Sequence, residues 1–417
     1  MHAPPIRLPS GVRDLLPRAA ARRRALADQV VGVFESWGYS RIVTPVFECA
    51  DVLERGLGHD ARAAAIRFVE PGTGEVVALR PDITPQVARL VATRMADTEG
   101  PIRLCYEGAV TRLAGDLGQR ELLQAGIELI DAPEPECDAE VLAVAAAALT
   151  ATRLPELRLD VGHVAPVRYV LSSVPATAPG GGHAGDAVTR LAGALARKDK
   201  AGVRAAARVL PPAVAELAEA LVTLWGPAEA TLARAARLAW PDDVRTSLAR
   251  LSAVLAELAE LADPPSPIVT VDLGDLRGFD YYTGMRFAGY AAGAPDAVLR
   301  GGRYDELIGR YGRAAHATGF AIDLEAVAEA QRTTGVAAPA IPLGIAVHGH
   351  GAPRFARALR GRGLRAVTAV VRPTVAWLRG AGFDAAILID AAGRRELVLA
   401  DDSRRDVQVA VAPLMEE

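Results

Sequence analysis

Apolar residues recur at helical spacing from Ala19 to Trp37, with Leu26, Val30, Val33 and Phe34 on one stripe and Gly38 placed to stop the helix. Residues Arg41 to Phe47 alternate and are rich in β-branched side chains, which predicts a strand directly after it. Similar runs predict strands at Val76 to Leu79, Arg103 to Tyr106 and Leu122 to Ile130, the last enclosing Gly126, and a helix from Pro85 to Met95. Strands mixed with helices at hairpin-like spacing predict an α+β fold, an antiparallel sheet flanked by helices.

The pattern changes at a Pro/Gly-rich stretch, Pro175 to Gly182. From there to Ala262 the chain is rich in Ala, Leu and Arg and reads as helical throughout, punctuated at Pro211-Pro212, Gly226-Pro227 and Pro241. Pro264-Pro265-Ser266-Pro267 closes this stretch, and strand character returns at Ile268 to Leu273. A second linker, Thr333 to Pro342, precedes a tail. There, strands at Gly344 to Val347, Ala366 to Val371 and Ala385 to Ile389 alternate with helices at Arg354 to Arg360 and Thr374 to Arg379, and Val398 to Asp402 reads as a last strand. That order predicts a small α/β unit with a parallel sheet. The expected organisation is a core, 1–174 and 264–332, interrupted by a helical insertion, 175–263, and followed by an α/β domain, 341–417. No internal repeat is visible.

Composition removes several function classes. The formal net charge is −3, whereas a dedicated nucleic-acid binder carries a basic domain or stripe. The run Arg354, Arg357, Arg360, Arg362 and Arg365 reads as a solvated helix face in an arginine-rich chain. Cys49, Cys105 and Cys137 are scattered, which points to a reducing compartment and against a thiolate zinc site. His348 and His350 share a strand face without a third ligand nearby, so no metal is expected. No apolar run is long enough to span a bilayer. The Pro-rich start, Met1 to Arg13, lacks the apolar core of a signal peptide, so the reading is cytoplasmic. Lysine occurs only at 198 and 200. A Walker-type lysine loop is therefore excluded, and any phosphate would be held by arginine or by backbone N–H groups.

Three constellations carry chemistry. Asp82 and Thr84 stand just before Pro85. They can cap the following helix, and an anion beside a neutral acceptor also suits an ammonium group. Gln124 and Glu128 are four apart, so on a strand they share a face. Arg277-Gly278-Phe279-Asp280-Tyr281-Tyr282-Thr283-Gly284 puts two tyrosines among glycines. Such a segment can shape a small aromatic pocket in which a phenol OH offers a hydrogen bond and Arg277 can pair with a carboxylate or phosphate. Gly301-Gly302-Arg303-Tyr304-Asp305 follows, a strand whose backbone can approach a ligand closely.

In order along the chain, these segments resemble the class II aminoacyl-tRNA synthetases of the histidyl type. Leu8 to Pro17 looks like that family's entry segment and Gly38 to Glu48 like motif 1. Arg103 to Glu128 looks like motif 2, Arg277 to Gly284 like the histidine signature and Ala317 to Ala326 like motif 3. The resemblance implies the class II core fold and a dimer through motif 1. It also implies a histidine pocket built from Asp82, Thr84, Arg112, Gln124, Glu128, Arg277, Tyr281 and Tyr282. Two positions depart from the synthetases. Ala114 stands where motif 2 has Glu, and Ala326 stands where motif 3 has the Arg that grips ATP phosphate. Alanine offers neither charge nor donor. Losing one such donor removes roughly 3 kcal/mol of transition-state stabilisation, a hundredfold or more in rate.

Histidine side retained, ATP side lost, and Arg80-Pro81-Asp82-Ile83-Thr84-Pro85 in place of Arg-Pro-Glu-Gly-Thr: this combination is similar to a paralogous family, the ATP phosphoribosyltransferase regulatory subunits. That resemblance implies a non-catalytic subunit without cofactor that binds L-histidine and pairs with a short-form catalytic phosphoribosyltransferase. It would activate that enzyme and transmit histidine feedback in the first step of histidine biosynthesis. The tail looks like a shortened anticodon-binding domain, and no nucleic-acid partner is expected. The competing expectations are an active histidyl-tRNA synthetase with divergent motifs 2 and 3, and a free-standing tRNA-binding module.

Overall fold

In a computed structural model, which describes residues 7–113, 118–175, 184–264, 266–278, 281–336 and 343–401, the chain begins with α1 (Pro17–Ser36), β1 (Ser40–Arg41), β2 (Phe47–Cys49), α2 (Ala50–Gly56), α3 (His59–Ala64), β3 (Arg67–Val69), β4 (Val76–Leu79) and α4 (Thr84–Arg94). The hairpin β5 (Ile102–Thr111) and β6 (Glu121–Ile130) leads to α5 (Glu136–Ala151), β7 (Arg158–His163) and α6 (Val164–Ser172). Next come α7 (Ala184–Ala196), α8 (Lys200–Ala206), α9 (Pro212–Leu221), β8 (Trp225–Pro227), α10 (Ala228–Ala235) and α11 (Asp242–Leu261). Then follow β9 (Ile268–Asp272), β10 (Met285–Tyr290), β11 (Leu299–Arg303), β12 (Ala317–Asp323) and α12 (Leu324–Thr334). The tail holds β13 (Gly344–Gly349), α13 (Ala352–Gly361), β14 (Arg365–Thr368), α14 (Val375–Ala381), β15 (Ala385–Ile389) and β16 (Arg395–Leu399). Two compact units result, one from the stretches 1–13 and 26–338, the other from 14–25 and 339–417.

The first unit is built on a nine-stranded sheet in the order β1-β5-β6-β12-β11-β10-β7-β9-β8. Most neighbours are antiparallel, as the hairpin spacing predicts, while β1 with β5 and β7 with β9 are parallel. Period-two alternation sorts the side chains. Leu123, Ala125, Ile127 and Leu129 of β6, Phe320 and Ile322 of β12, Phe287 of β10 and Val161 of β7 enter the main core. Alanine-rich α5 is buried along most of its length in the same core. The opposite face carries Gln124, Gly126 and Glu128 of β6, Gly319 and Ala321 of β12, Gly302 of β11 and Arg286 of β10.

Arg303, the last residue of β11, turns to the α5 side. Its guanidinium is 3% exposed and meets Asp138 of α5 at 3.0 Å, Asp305 at 3.0 Å and Glu134 at 2.7 Å. Asp305 also accepts the backbone N–H of Ala317, the first residue of β12.

Residues 42–46 depart from the expected strand. Only Ser40–Arg41 and Phe47–Cys49 pair, in different sheets. The carbonyls between them are taken by the buried Arg80. It donates to Thr44 O at 3.0 Å, Pro45 O at 3.2 Å and Thr44 Oγ1 at 2.8 Å, and to Ala109 O at 2.7 Å. The stretch expected to be helical throughout is interrupted by β8, which extends the large sheet at its edge beside β9.

In the second unit, β13 lies between β14 and β15, parallel to both, and β16 is an antiparallel edge. Residues of β13 alternate between two small cores, Ile345 and Val347 in one and Ala346 in the other. Strand β14 stops at Thr368 instead of running to Val371, because Val370 and Val371 are exposed and find nothing to pack on. The last strand begins earlier than expected. Asp390 accepts the N–H groups of Ala392 and Arg394 and closes a turn that starts β16 at Arg395, and Asp402 lies outside the described residues. Among the described residues no helix is long and apolar enough to cross a membrane.

Arg303→Met strands Asp138 in the core without its cation, so stability should fall by about 3–5 kcal/mol. Urea unfolding measures this, and a variant as stable as the parent would show that the ion cluster does not hold β11 to α5.

Candidate ligand-binding site

The site grows from the start of α4 and from the strand face opposite α5. Pro85 opens the helix at a position that needs no N–H, and Asp82 Oδ1 accepts the N–H of Thr84 at 3.3 Å. The same oxygen accepts from Gln124 Nε2 at 3.1 Å. Thr84 Oγ1 lies 3.3 Å from Tyr106 OH, which donates to Glu128 Oε1 at 3.2 Å. Asp82, Thr84, Gln124 and Glu128 are thus brought into one hydrogen-bonded group, with Tyr106 of β5 as its link.

Two glycines make the room. A Cβ at Gly126 would fall 2.5 Å from Tyr106 OH, and one at Gly319 would fall 2.1 Å from Glu128 Oε2 and 2.8 Å from Tyr304 OH. The rings of Tyr281 and Tyr282 meet edge to face at 5.3 Å, and Tyr281 also packs on Tyr304 at 5.4 Å.

The group is electrostatically poised. Glu128 is 2% exposed. Burial drives its pKa well above the usual carboxylate range; Thr84 and Tyr106 pull it down and Asp82 adds to the rise. Burial likewise raises Tyr281 and Tyr282, with the Asp82 and Glu128 carboxylates adding to it. Gln124 Oε1, Glu128 Oε2, Tyr281 OH and Tyr304 OH are buried without a hydrogen-bond partner among the described residues. Each such atom costs folding free energy, on the order of 1–3 kcal/mol, until something satisfies it.

Arg277 belongs to a second group. It pairs with Asp275 at 2.6 Å and donates to Tyr290 OH. Asp275 also pairs with Arg286 at 2.6 Å, and Arg286 is 6% exposed. Burial would raise the Asp275 carboxyl, but the two guanidiniums outweigh it and hold the pKa at about 2. Both groups act on Tyr282: Asp82 and Glu128 raise the pKa of its phenol, and Arg286 and Arg300 lower it.

Arg112 is placed beside the Asp82 loop, its Nε donating to Pro81 O at 3.0 Å. Ala326 sits in the first turn of α12. Its N–H is taken by the capping Asp323 at 3.0 Å, and its methyl packs on the main core. Ala114 and the middle of the histidine signature, Phe279 and Asp280, lie outside the described residues. Among the described residues no three His, Cys, Asp or Glu side chains gather as a metal site, His348 and His350 included. Sequence reasoning missed Tyr106, Tyr304, Asp275 and Arg286. Tyr106 could have been found by pairing the two motif 2 strands, since it stands opposite Gly126. Nothing in the sequence marks Arg286.

Comparison with known proteins gives the family. The family model for histidyl-tRNA synthetase matches residues 11–327. An ATP phosphoribosyltransferase regulatory subunit of Geobacter metallireducens is 41% identical over 327 residues, covering 78% of this chain and 73% of that protein. One from Pseudomonas aeruginosa is 34% identical over 421 residues, 98% of each chain. A solved structure from Bacillus halodurans, an ATP phosphoribosyltransferase regulatory subunit/histidyl-tRNA synthetase, is similar with a TM-score of 0.79 at 27% identity, covering 94% of this chain and 100% of that one. The histidyl-tRNA synthetase of a Nostoc species shares the fold, with a TM-score of 0.77 at 19% identity. A synthetase-like scaffold and full-length similarity to these subunits converge: this chain belongs to the family of ATP phosphoribosyltransferase regulatory subunits.

Proposed function

We propose that this chain is the non-catalytic, histidine-binding subunit of an ATP phosphoribosyltransferase complex. The observation that carries the reading is the set of unpaired buried polar atoms around Glu128. L-Histidine supplies what they lack. An imidazole N–H reaches Glu128 Oε2, the ammonium group meets Asp82 and Thr84 with Gln124 beside them, the tyrosines wall the ring, and Arg277 takes the carboxylate. Arg112 supports the Asp82 loop through Pro81 O. On the nucleotide side, Ala326 has no donor left to offer. The names of the relatives supply the partner: a catalytic subunit on which this pocket's occupancy acts. We read residues 175–263 as an insertion into the class II core and 341–417 as a shortened anticodon-binding-like domain.

The chain is also proposed to form a two-fold dimer through motif 1. Val43, Val46 and Phe47 are exposed, as are Phe68, Val69 and Val76 of the adjoining three-stranded sheet. Exposed apolar side chains gathered in this way mark an interaction surface, and closed two-fold symmetry is its commonest form.

L-Histidine should raise the melting temperature by mass action. Glu128→Gln should weaken histidine about tenfold, and Tyr281→Phe a few-fold, as charged and neutral hydrogen bonds differ. The two variants retaining parental affinity would remove the pocket assignment. The folded pKa of Glu128 is raised, so its contribution to stability is fully present below the ordinary carboxylate pKa and is lost as pH rises through the raised value. Ligand-free Glu128→Gln should therefore melt higher than the parent above that pH and lack this pH dependence.

ATP–pyrophosphate exchange with histidine should be undetectable, and a short catalytic phosphoribosyltransferase from the same organism should co-purify with this chain. Its phosphoribosyl-ATP synthesis should rise on adding the chain and fall on adding histidine. Exchange at ordinary enzyme rates would restore the synthetase reading.

Phe47→Asp should shift the free chain from dimer to monomer in sedimentation, and an unchanged dimer would place the interface elsewhere.

A further inference from the structure

We infer that Asp275 is a positioning residue of the ligand site: it grips one edge of the Arg277 guanidinium so that uncommitted N–H groups are presented to the carboxylate of a bound amino acid. This rests on the histidine reading above and names which residue outside the predicted set governs its carboxylate end.

The geometry is specific. Arg277 Nε lies 3.1 and 2.9 Å from the two Asp275 oxygens, and Nη2 lies 2.6 Å from Oδ2. The backbone N–H of Arg277 donates to Oδ1 as well, at 3.0 Å, so the loop and the side chain are fixed together. Nη1 donates to Tyr290 OH. A guanidinium has five N–H groups. These bonds engage Nε–H and one N–H on each terminal nitrogen, leaving one on Nη1 and one on Nη2 uncommitted among the described residues. Two such donors suit the two oxygens of a carboxylate.

Exposure supports the division of labour. Arg277 is 49% exposed and Asp275 only 9%. Asp275 is backed in turn by the buried Arg286, at 2.6 Å. Arg286 is fixed in the sheet: it pairs in register with Gly302, Gly302 with Gly319, and Gly319 with Glu128. The clamp therefore stands at one end of a glycine-floored row and Glu128 at the other. Three strand steps of about 4.8 Å put the two ends about 14 Å apart at the backbone. Tyr282 lies along this floor, where a Cβ at Gly302 would come within 2.8 Å of its ring.

Without Asp275, Arg277 would be a long, half-exposed side chain free to sample many rotamers. Holding it beforehand removes that ordering cost from binding. The effect should fall only on ligands that carry a carboxylate.

The test is calorimetry with L-histidine and with histamine, which keeps the imidazole and the ammonium and lacks the carboxylate. Asp275→Asn should weaken histidine tenfold or more and leave histamine within twofold of the parent. In an Arg277→Met background, Asp275→Asn should change histidine affinity no further, since the two act as a unit. Asp275→Asn leaves Arg286 buried beside an uncharged partner; if that variant fails to fold, the double variant Asp275→Asn, Arg286→Met removes the stranded charge and should show the same discrimination between ligands. Equal losses for both ligands, no loss for either, or additive effects of Asp275→Asn and Arg277→Met would overturn the positioning role. A parent protein that binds no histidine would instead overturn the underlying pocket reading.

Discussion

Strand β11 carries Gly301 and Gly302 side by side, so it has few side chains with which to hold its own register. A slip of one residue would turn every side chain to the wrong face. Arg303 prevents this from the strand's end, anchored to Asp138 on α5 and to Asp305, which also holds the first N–H of β12. With that anchor in place, Gly302 stays between Gly319 and Arg286, and Glu128 stays opposite Gly319. The floor of the site depends on this pairing, because its groups come from the neighbouring strands β5, β6, β12, β11 and β10.

The two faces of the sheet obey opposite rules. Toward α5, large apolar side chains and a run of alanines pack tightly, as a core should. On the other face, glycines leave space beside buried carboxylates and phenols, and several polar atoms lack partners among the described residues. Such a face weakens the folded chain. Its persistence is understandable if a polar ligand completes it. Arg80 makes a useful contrast: it is just as buried, yet its Nε and Nη1 donate to carbonyls and a hydroxyl, and burial lowers its pKa. Arg80 is structural cement for the loop at Thr44 and Pro45, whereas the half-exposed Arg277 is held by Asp275 and Tyr290.

Much of this was legible in the sequence. Periodicity located α4, β4, β6 and β15 because each buries one regular stripe or face, and the spacing of Gln124 and Glu128 put both on the same side of a strand. The paired tyrosines pointed to an aromatic wall. What escaped notice depends on contacts between segments far apart in the chain. The break at residues 42–46 follows from Arg80, more than thirty residues on. Strand β8 forms only because β9 offers an edge. Arg286 looks like an ordinary strand residue until the fold brings it to Asp275, and Asp275, two places before Arg277, stands just outside the family motif. Local pattern carries no trace of such long-range pairs, and a family motif shows only the member that happens to be in it.

The row between Glu128 and Arg286 is floored by main chain, at Gly319 and Gly302. A surface made of peptide groups cannot be retuned by exchanging side chains. Any substituent there collides with Glu128, Tyr304 or Tyr282 before it can touch a ligand. Substitutions that leave this floor intact are therefore confined to the rim, to the tyrosines, Glu128 and the arginine clamp. A scaffold of this kind lets the groups around a pocket change while the main-chain surface beneath them stays as it is.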